Sequence, residues 1–104
     1  MLNYCDSALI FKAMSDETRL RIVDMLSCDE LCACDLLEEF SITQPTLSYH
    51  MKILTECGLV NARKDGAWTR YKLNMELISA IQTFLIHISS DKEDCICKEN
   101  RSWN

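Results

Sequence analysis

Glycine and proline are nearly absent, with two of the first and one of the second in 104 residues. So few turn residues cannot supply the many tight turns of an all-β chain, and they favour helices joined by short loops. No apolar run is long enough to cross a bilayer, so no membrane partner is expected. The chain opens Met1-Leu2-Asn3-Tyr4-Cys5-Asp6, without a basic segment leading into an apolar one. A secretion signal is therefore not expected, and the expected location is cytoplasmic. No glycine-rich loop that could cradle an anion is present, which argues against thiol-based reductase chemistry, and an enzyme is not expected. Internal repeats and low-complexity stretches are absent too. The length suits one domain, and so small a chain commonly gains stability by dimerising.

What the chain does have is cysteine, seven in all. An odd number cannot pair completely within one chain. In a reducing compartment thiols serve metal or redox chemistry rather than staples. Charge is the second feature. The net charge is −5, yet the stretch 41–73 holds Lys52, Arg63, Lys64, Arg70 and Lys72 against only Glu56 and Asp65. A basic middle in an acidic body is how a local phosphate-binding face reads.

Hydrophobic spacing predicts a first helix over Tyr4 to Ala13, with Leu9, Ile10 and Ala13 on one side. Ser15 is a candidate cap for a second helix running to about Leu26, with Leu20, Ile22, Val23 and Leu26 apolar. A short third helix is expected from about Glu30, burying Leu31, Leu36, Leu37 and Phe40. Ser41 and Thr43 are capping candidates for a fourth, with Pro45 in its first turn. Leu47, Met51 and Leu54 form its inward stripe, and Gly58 ends it. The period then changes. Leu59 to Lys64 and Trp68 to Leu73 read as two strands around the Asp65-Gly66 turn. Asn74 to about Ser89 returns to helix, with Leu77, Ile78, Ile81, Leu85 and Ile88 apolar. The expected fold is mainly α with a small β-hairpin, laid out as a winged helix-turn-helix. Residues 1–90 are expected to form one domain for DNA binding and dimerisation, and 91–104 a flexible Cys-containing tail.

Four blocks of this sequence resemble the ArsR/SmtB metalloregulatory repressors, in order and at the right spacing. They are Ala13-Met14-Ser15-Asp16-Glu17-Thr18-Arg19-Leu20-Arg21-Ile22; Glu30-Leu31-Cys32-Ala33-Cys34-Asp35-Leu36; the helix from Gln44 to Leu54; and the wing segments Gly58-Leu59-Val60, Arg63-Lys64-Asp65-Gly66 and Tyr71-Lys72-Leu73. The second block is most like the arsenic-responsive members. The resemblance implies a homodimer joined through its first and last helices, bound to a two-fold operator in double-stranded DNA. It also implies a recognition helix from Gln44 in the major groove. Gln44, Thr46, Ser48, Tyr49 and His50 are polar and mostly off the core stripe, so they are candidates for base or phosphate contacts. Lys52, Arg63, Lys64 and Arg70 are candidates for phosphate contacts.

For the inducer, the resemblance implies trivalent arsenic or antimony held by three thiolates. Thiolates suit soft ions. Cys32 and Cys34 are the leading candidates. A third family cysteine falls where this chain has Leu37, so the third thiolate is sought in Cys95 or Cys97, or in Cys28. Cadmium or lead sensing, for which Cys5 is a minor candidate, and thiol oxidation are the alternatives. The zinc pattern of the family's last helix is not matched by Asn74, Glu76 and His87. In a regular helix residues two apart point roughly 200° from each other, so Cys32 and Cys34 cannot share one atom there. Either the helix has not begun at Cys32, or the metalloid unwinds its first turn. The same spacing predicts that a Cys32–Cys34 disulfide forms only with strain.

Overall fold

Each helix begins where a side chain can take up a free backbone N–H, because the first-turn donors have no partner inside the helix. In the computed structural model, which describes residues 1–92, α1 spans Tyr4–Met14 and Asn3 accepts from the Asp6 amide at 2.7 Å. Helix α2 spans Glu17–Leu26 and is capped by Asp16, which accepts from the Arg19 amide at 3.1 Å. Helix α3 spans Ala33–Glu39 with Cys32 as its cap. Helix α4 spans Gln44–Glu56 behind Thr43, and α5 spans Met75–Ser89 behind Asn74. The expected Ser15 cap is thus displaced by one residue: Asp16 carries the stronger acceptor, while Ser15 closes the end of α1.

The strands are β1, Leu31–Cys32; β2, Val60–Asp65; and β3, Trp68–Leu73. All neighbours run antiparallel, in the order β1-β3-β2. The expected two-stranded hairpin is therefore a three-stranded sheet, and the third helix starts at Ala33 rather than near Glu30. Two residues are too short a strand to show a period, and β1 exists because Leu31 and Cys32 find Tyr71 and Arg70 on the free edge of β3. Gly58 ends α4 at φ +90°, and Gly66 turns the hairpin at φ +63°. Both conformations are cheap only for glycine.

The core lies where α2, α3, α4 and α5 meet the base of the sheet. Ile22, Leu36, Leu47, Met51, Leu54, Leu59 and Val60 are almost wholly buried, joined by Ile10, Leu26, Phe40, Leu73, Ile81 and Phe84. Burying such a side chain contributes about 1.5–3 kcal/mol. Leu9 and Leu20 leave this core and face outward. Ser7 of α1 is buried, and its hydroxyl has no partner among the described residues. An unsatisfied buried hydroxyl costs about 1–3 kcal/mol. Ser7→Ala is therefore expected to raise the denaturation midpoint in urea, by about 1 kcal/mol of stability. An unchanged or lower midpoint shows that the hydroxyl is satisfied.

Candidate thiol site and nucleic-acid face

Cys32 is extended, with φ −85° and ψ 162°, so the helix has not begun at this residue. That is the first of the two arrangements the spacing allowed. Its side chain consequently turns back toward the first turn of α3, where Cys34 lies. The two residues are joined by a disulfide, with their Cα atoms 5.3 Å apart. This separation sits inside the roughly 4.4–6.8 Å that disulfides commonly span.

Three interactions hold Cys32. Its Sγ accepts from the Asp35 amide at 3.3 Å, and its own amide donates to Asp35 Oδ2 at 3.0 Å. This reciprocal pair is a capping box with sulfur in the place of a hydroxyl. The third is the ladder to Arg70 of β3. Cys32 is buried and Cys34 half-buried. Their sulfurs and an Asp35 carboxylate oxygen lie within 4.8 Å of one another. Two sulfurs that reach each other can also reach one soft ion, so the pair fits a thiophilic ligand. Cys28 and Cys5 are exposed, and Cys57 is half-buried with its thiol donating to the Leu54 carbonyl at 3.4 Å. Cys95 and Cys97 lie outside the described residues.

The candidate DNA contacts sort by what already holds them. Gln44, Thr46, Ser48 and Tyr49 are exposed along α4. The Thr46 amide and hydroxyl are both engaged by the Thr43 hydroxyl. His50 turns inward instead. Its Nδ1 is 3.0 Å from Arg19 Nη1 and 3.9 Å from Asp16 Oδ2. A guanidinium only donates, so Nδ1 accepts and the ring carries its hydrogen on Nε2. Tyr49 packs edge-on against this ring at 5.4 Å. Lys52 is exposed and loosely paired with Glu56 at 4.0 Å. On the wing, Arg63 binds Glu30 through two nitrogens at 2.6 and 3.3 Å, and Arg70 binds Asp65 at 2.6 Å. Glu30 accordingly raises the pKa of Arg63, and the Arg70 hydrogen bond holds the Asp65 carboxyl below its ordinary value. Lys64 is exposed, with no ion pair among the described residues.

Residues 16–62 match the family model described as "Bacterial regulatory protein, arsR family". The arsenical resistance operon repressors of Staphylococcus xylosus and Staphylococcus aureus are each 46% identical over 101 residues, covering 97% of both chains. The chain belongs to the arsR family. An ArsR-like transcriptional regulator from Rhodococcus sp. RHA1 superposes with a TM-score of 0.73 at 29% identity, covering 82% of this chain and 80% of that one. The fold is thus that of the winged-helix regulators, and the chain is a DNA-binding regulator of transcription.

Asp16 caps α2, while Arg19 Nε donates to the Ala13 carbonyl at 2.6 Å and its Nη1 meets His50. Asp16 and Arg19 therefore tie α1, α2 and α4 together. The Arg19 amide is the main reason the Asp16 carboxyl titrates below its ordinary value. Neither the Arg19–His50 contact nor the Glu30–Arg63 pair was legible in the sequence, because each joins residues more than thirty positions apart. The Cys32–Asp35 spacing did carry a signal, since a polar residue with an acid three places on is a capping pattern. Cys57 and Arg63 stand at the Cys-x₅-Arg spacing of thiol-based phosphatases and reductases. Here Cys57 ends α4 while Arg63 sits mid-strand against Glu30, so no anion-cradling loop joins them. The same spacing between Cys95 and Arg101 lies outside the described residues.

Proposed function

We propose that this chain is a metalloid-responsive repressor that binds a palindromic operator as a homodimer. It leaves DNA when trivalent arsenic or antimony binds Cys32 and Cys34. The observation that carries the reading is the convergence of both sulfurs at the head of α3, the helix that directly precedes α4. The names of the staphylococcal relatives agree with it. Leu9 of α1 and Leu85, Ile86 and Ile88 of α5 are apolar and exposed, which supports pairing of two copies through these helices. In this reading residues 1–90 do the binding and dimerisation. The segment 91–104 supplies the third thiolate through Cys95 or Cys97.

Coupling follows from the several roles of Cys32. A metalloid bonded to its sulfur competes with the Asp35 amide for that sulfur and pulls on the backbone paired with Arg70. The first turn of α3 and the wing then loosen together, and the DNA-bound arrangement loses ground. Arsenite, antimonite, cadmium, lead and zinc are titrated against the reduced protein on its own promoter DNA, followed by fluorescence anisotropy. Arsenite and antimonite are expected to release it, with faster hydrogen exchange at the Asp35 and Leu36 amides. Preferential release by cadmium or lead replaces the inducer, with Asp35 then the oxygen donor beside the two sulfurs. Release with unchanged exchange at these amides rejects the coupling.

A further inference from the structure

We infer that oxidation of Cys32 and Cys34 to a disulfide makes this regulator deaf to its inducer while leaving it able to hold DNA. The inference rests on the metalloid reading above and adds a second input at the same site.

The disulfide and the winged helix coexist. With the bond closed, Cys32 Sγ still accepts from the Asp35 amide, and the Cys32 amide still donates to Asp35. Leu31 and Cys32 still pair with Tyr71 and Arg70, and Glu30 still clamps Arg63. Thr43 still caps α4, and Arg19 still reaches His50. Each of these contacts, which place α4 and the wing, is thus compatible with the bond. A metalloid is not, because it needs both sulfurs as thiolates and the bond consumes both. Oxidation and metalloid binding therefore compete for the same two atoms with opposite results for α3. One preserves the cap, and the other draws the sulfur away from it.

Burial sets the order of the chemistry. Cys34 is the more exposed of the pair, so its thiolate attacks a hydroperoxide first. The O–O bond breaks, giving a sulfenic acid at Cys34 and an alcohol or, from hydrogen peroxide, water. The Cys32 thiol then displaces the sulfenic hydroxyl as water, and the S–S bond forms. Two electrons pass from the two sulfurs to the peroxide. A dithiol reductant reverses the exchange through a mixed disulfide.

The full chain is treated with hydrogen peroxide, excess oxidant is removed, and the Cys32–Cys34 bond is mapped by peptide mass after alkylation. Operator binding is then read by anisotropy, with and without arsenite. The oxidised protein is expected to bind within about threefold of the reduced protein, and to stay bound at arsenite concentrations that release the latter. A dithiol should restore the response. Cys32→Ser/Cys34→Ser is expected to bind DNA alike before and after peroxide, which shows that oxidation of the other five cysteines does not itself disturb DNA binding. Loss of DNA binding on forming the bond overturns the inference in favour of oxidative release. Release of the bonded protein by arsenite overturns it as well, as does failure of the bond to form. A reduced protein that ignores arsenite overturns the metalloid reading instead, and the two failures are told apart in the same experiment.

Discussion

Cys32→Ser and Cys34→Ser are each expected to abolish arsenite release while leaving operator affinity within about twofold of the parent. The loss should be large because two thiolates on one segment act as a chelate. Once one sulfur has bonded, the other attacks at an effective concentration far above that of free thiol. Removing either forfeits an avidity of about 10²–10⁴. Affinity for DNA is preserved for a reason peculiar to each position. Among the described residues Cys34 has no ladder pairing with the sheet and its side chain is bonded only to Cys32, so serine there changes little. Cys32 is the cap of α3, and serine is a better cap than cysteine. Its hydroxyl can accept from the Asp35 amide as the sulfur now does at 3.3 Å.

Cys32→Ala separates the two duties. It should lose the arsenite response like Cys32→Ser, and in addition lose the cap, at about 1 kcal/mol. In a domain of this size that lowers the melting temperature by about 4 °C. Calorimetry on the three variants checks it. If serine and alanine at position 32 melt alike, the sulfur is not a working cap. The coupling between metalloid and helix start then has to be sought elsewhere. If Cys34→Ser still responds fully to arsenite, the site itself is misassigned.

How far these elements were legible depends on the range of the forces that make them. The Leu47, Met51 and Leu54 stripe, the Asp65-Gly66 turn and the αL glycine at 58 are local, and the sequence showed each of them. β1 was hidden because its two residues are strand only by virtue of Tyr71 and Arg70, nearly forty positions away. That one omission placed the start of α3 too early. It also left open whether the two thiols converge, which the extended Cys32 decides. Leu9 and Leu20 show a different limit, since an apolar periodicity marks a helix face without saying whether its own chain covers that face. The Arg63 and Arg70 charges were legible as basic residues but not as paired ones, because Glu30 and Asp65 reach them only once the wing has folded.

That pairing leads to the second large effect, on DNA itself. Lys64→Glu is expected to weaken operator binding by about a hundredfold near 0.1 M salt, whereas Glu30→Gln should not weaken it at all. Each phosphate contact contributes about 0.9 to the slope of log affinity against log salt. Lys64 lies on β2 beside Arg63 with no ion pair among the described residues, so its charge is available to a phosphate. Reversing that charge removes one contact per protomer and adds a repulsion. Arg63 starts from the other side, because Glu30 already neutralises it at 2.6 Å. Freeing it in Glu30→Gln deletes a negative charge close to the wing and offers a guanidinium to the backbone, so the salt slope should steepen. The pair is exposed enough on the arginine side, at 59%, that solvent screens it and losing it costs the fold little. Anisotropy titrations across a series of salt concentrations read both slopes. A Lys64→Glu protein whose slope equals the parent's would put the wing clear of the phosphates, and the DNA face would then reduce to α4. A Glu30→Gln protein that binds more weakly would show that the Glu30–Arg63 clamp, by fixing the wing against the segment that carries the thiols, matters more to DNA binding than the charge it hides.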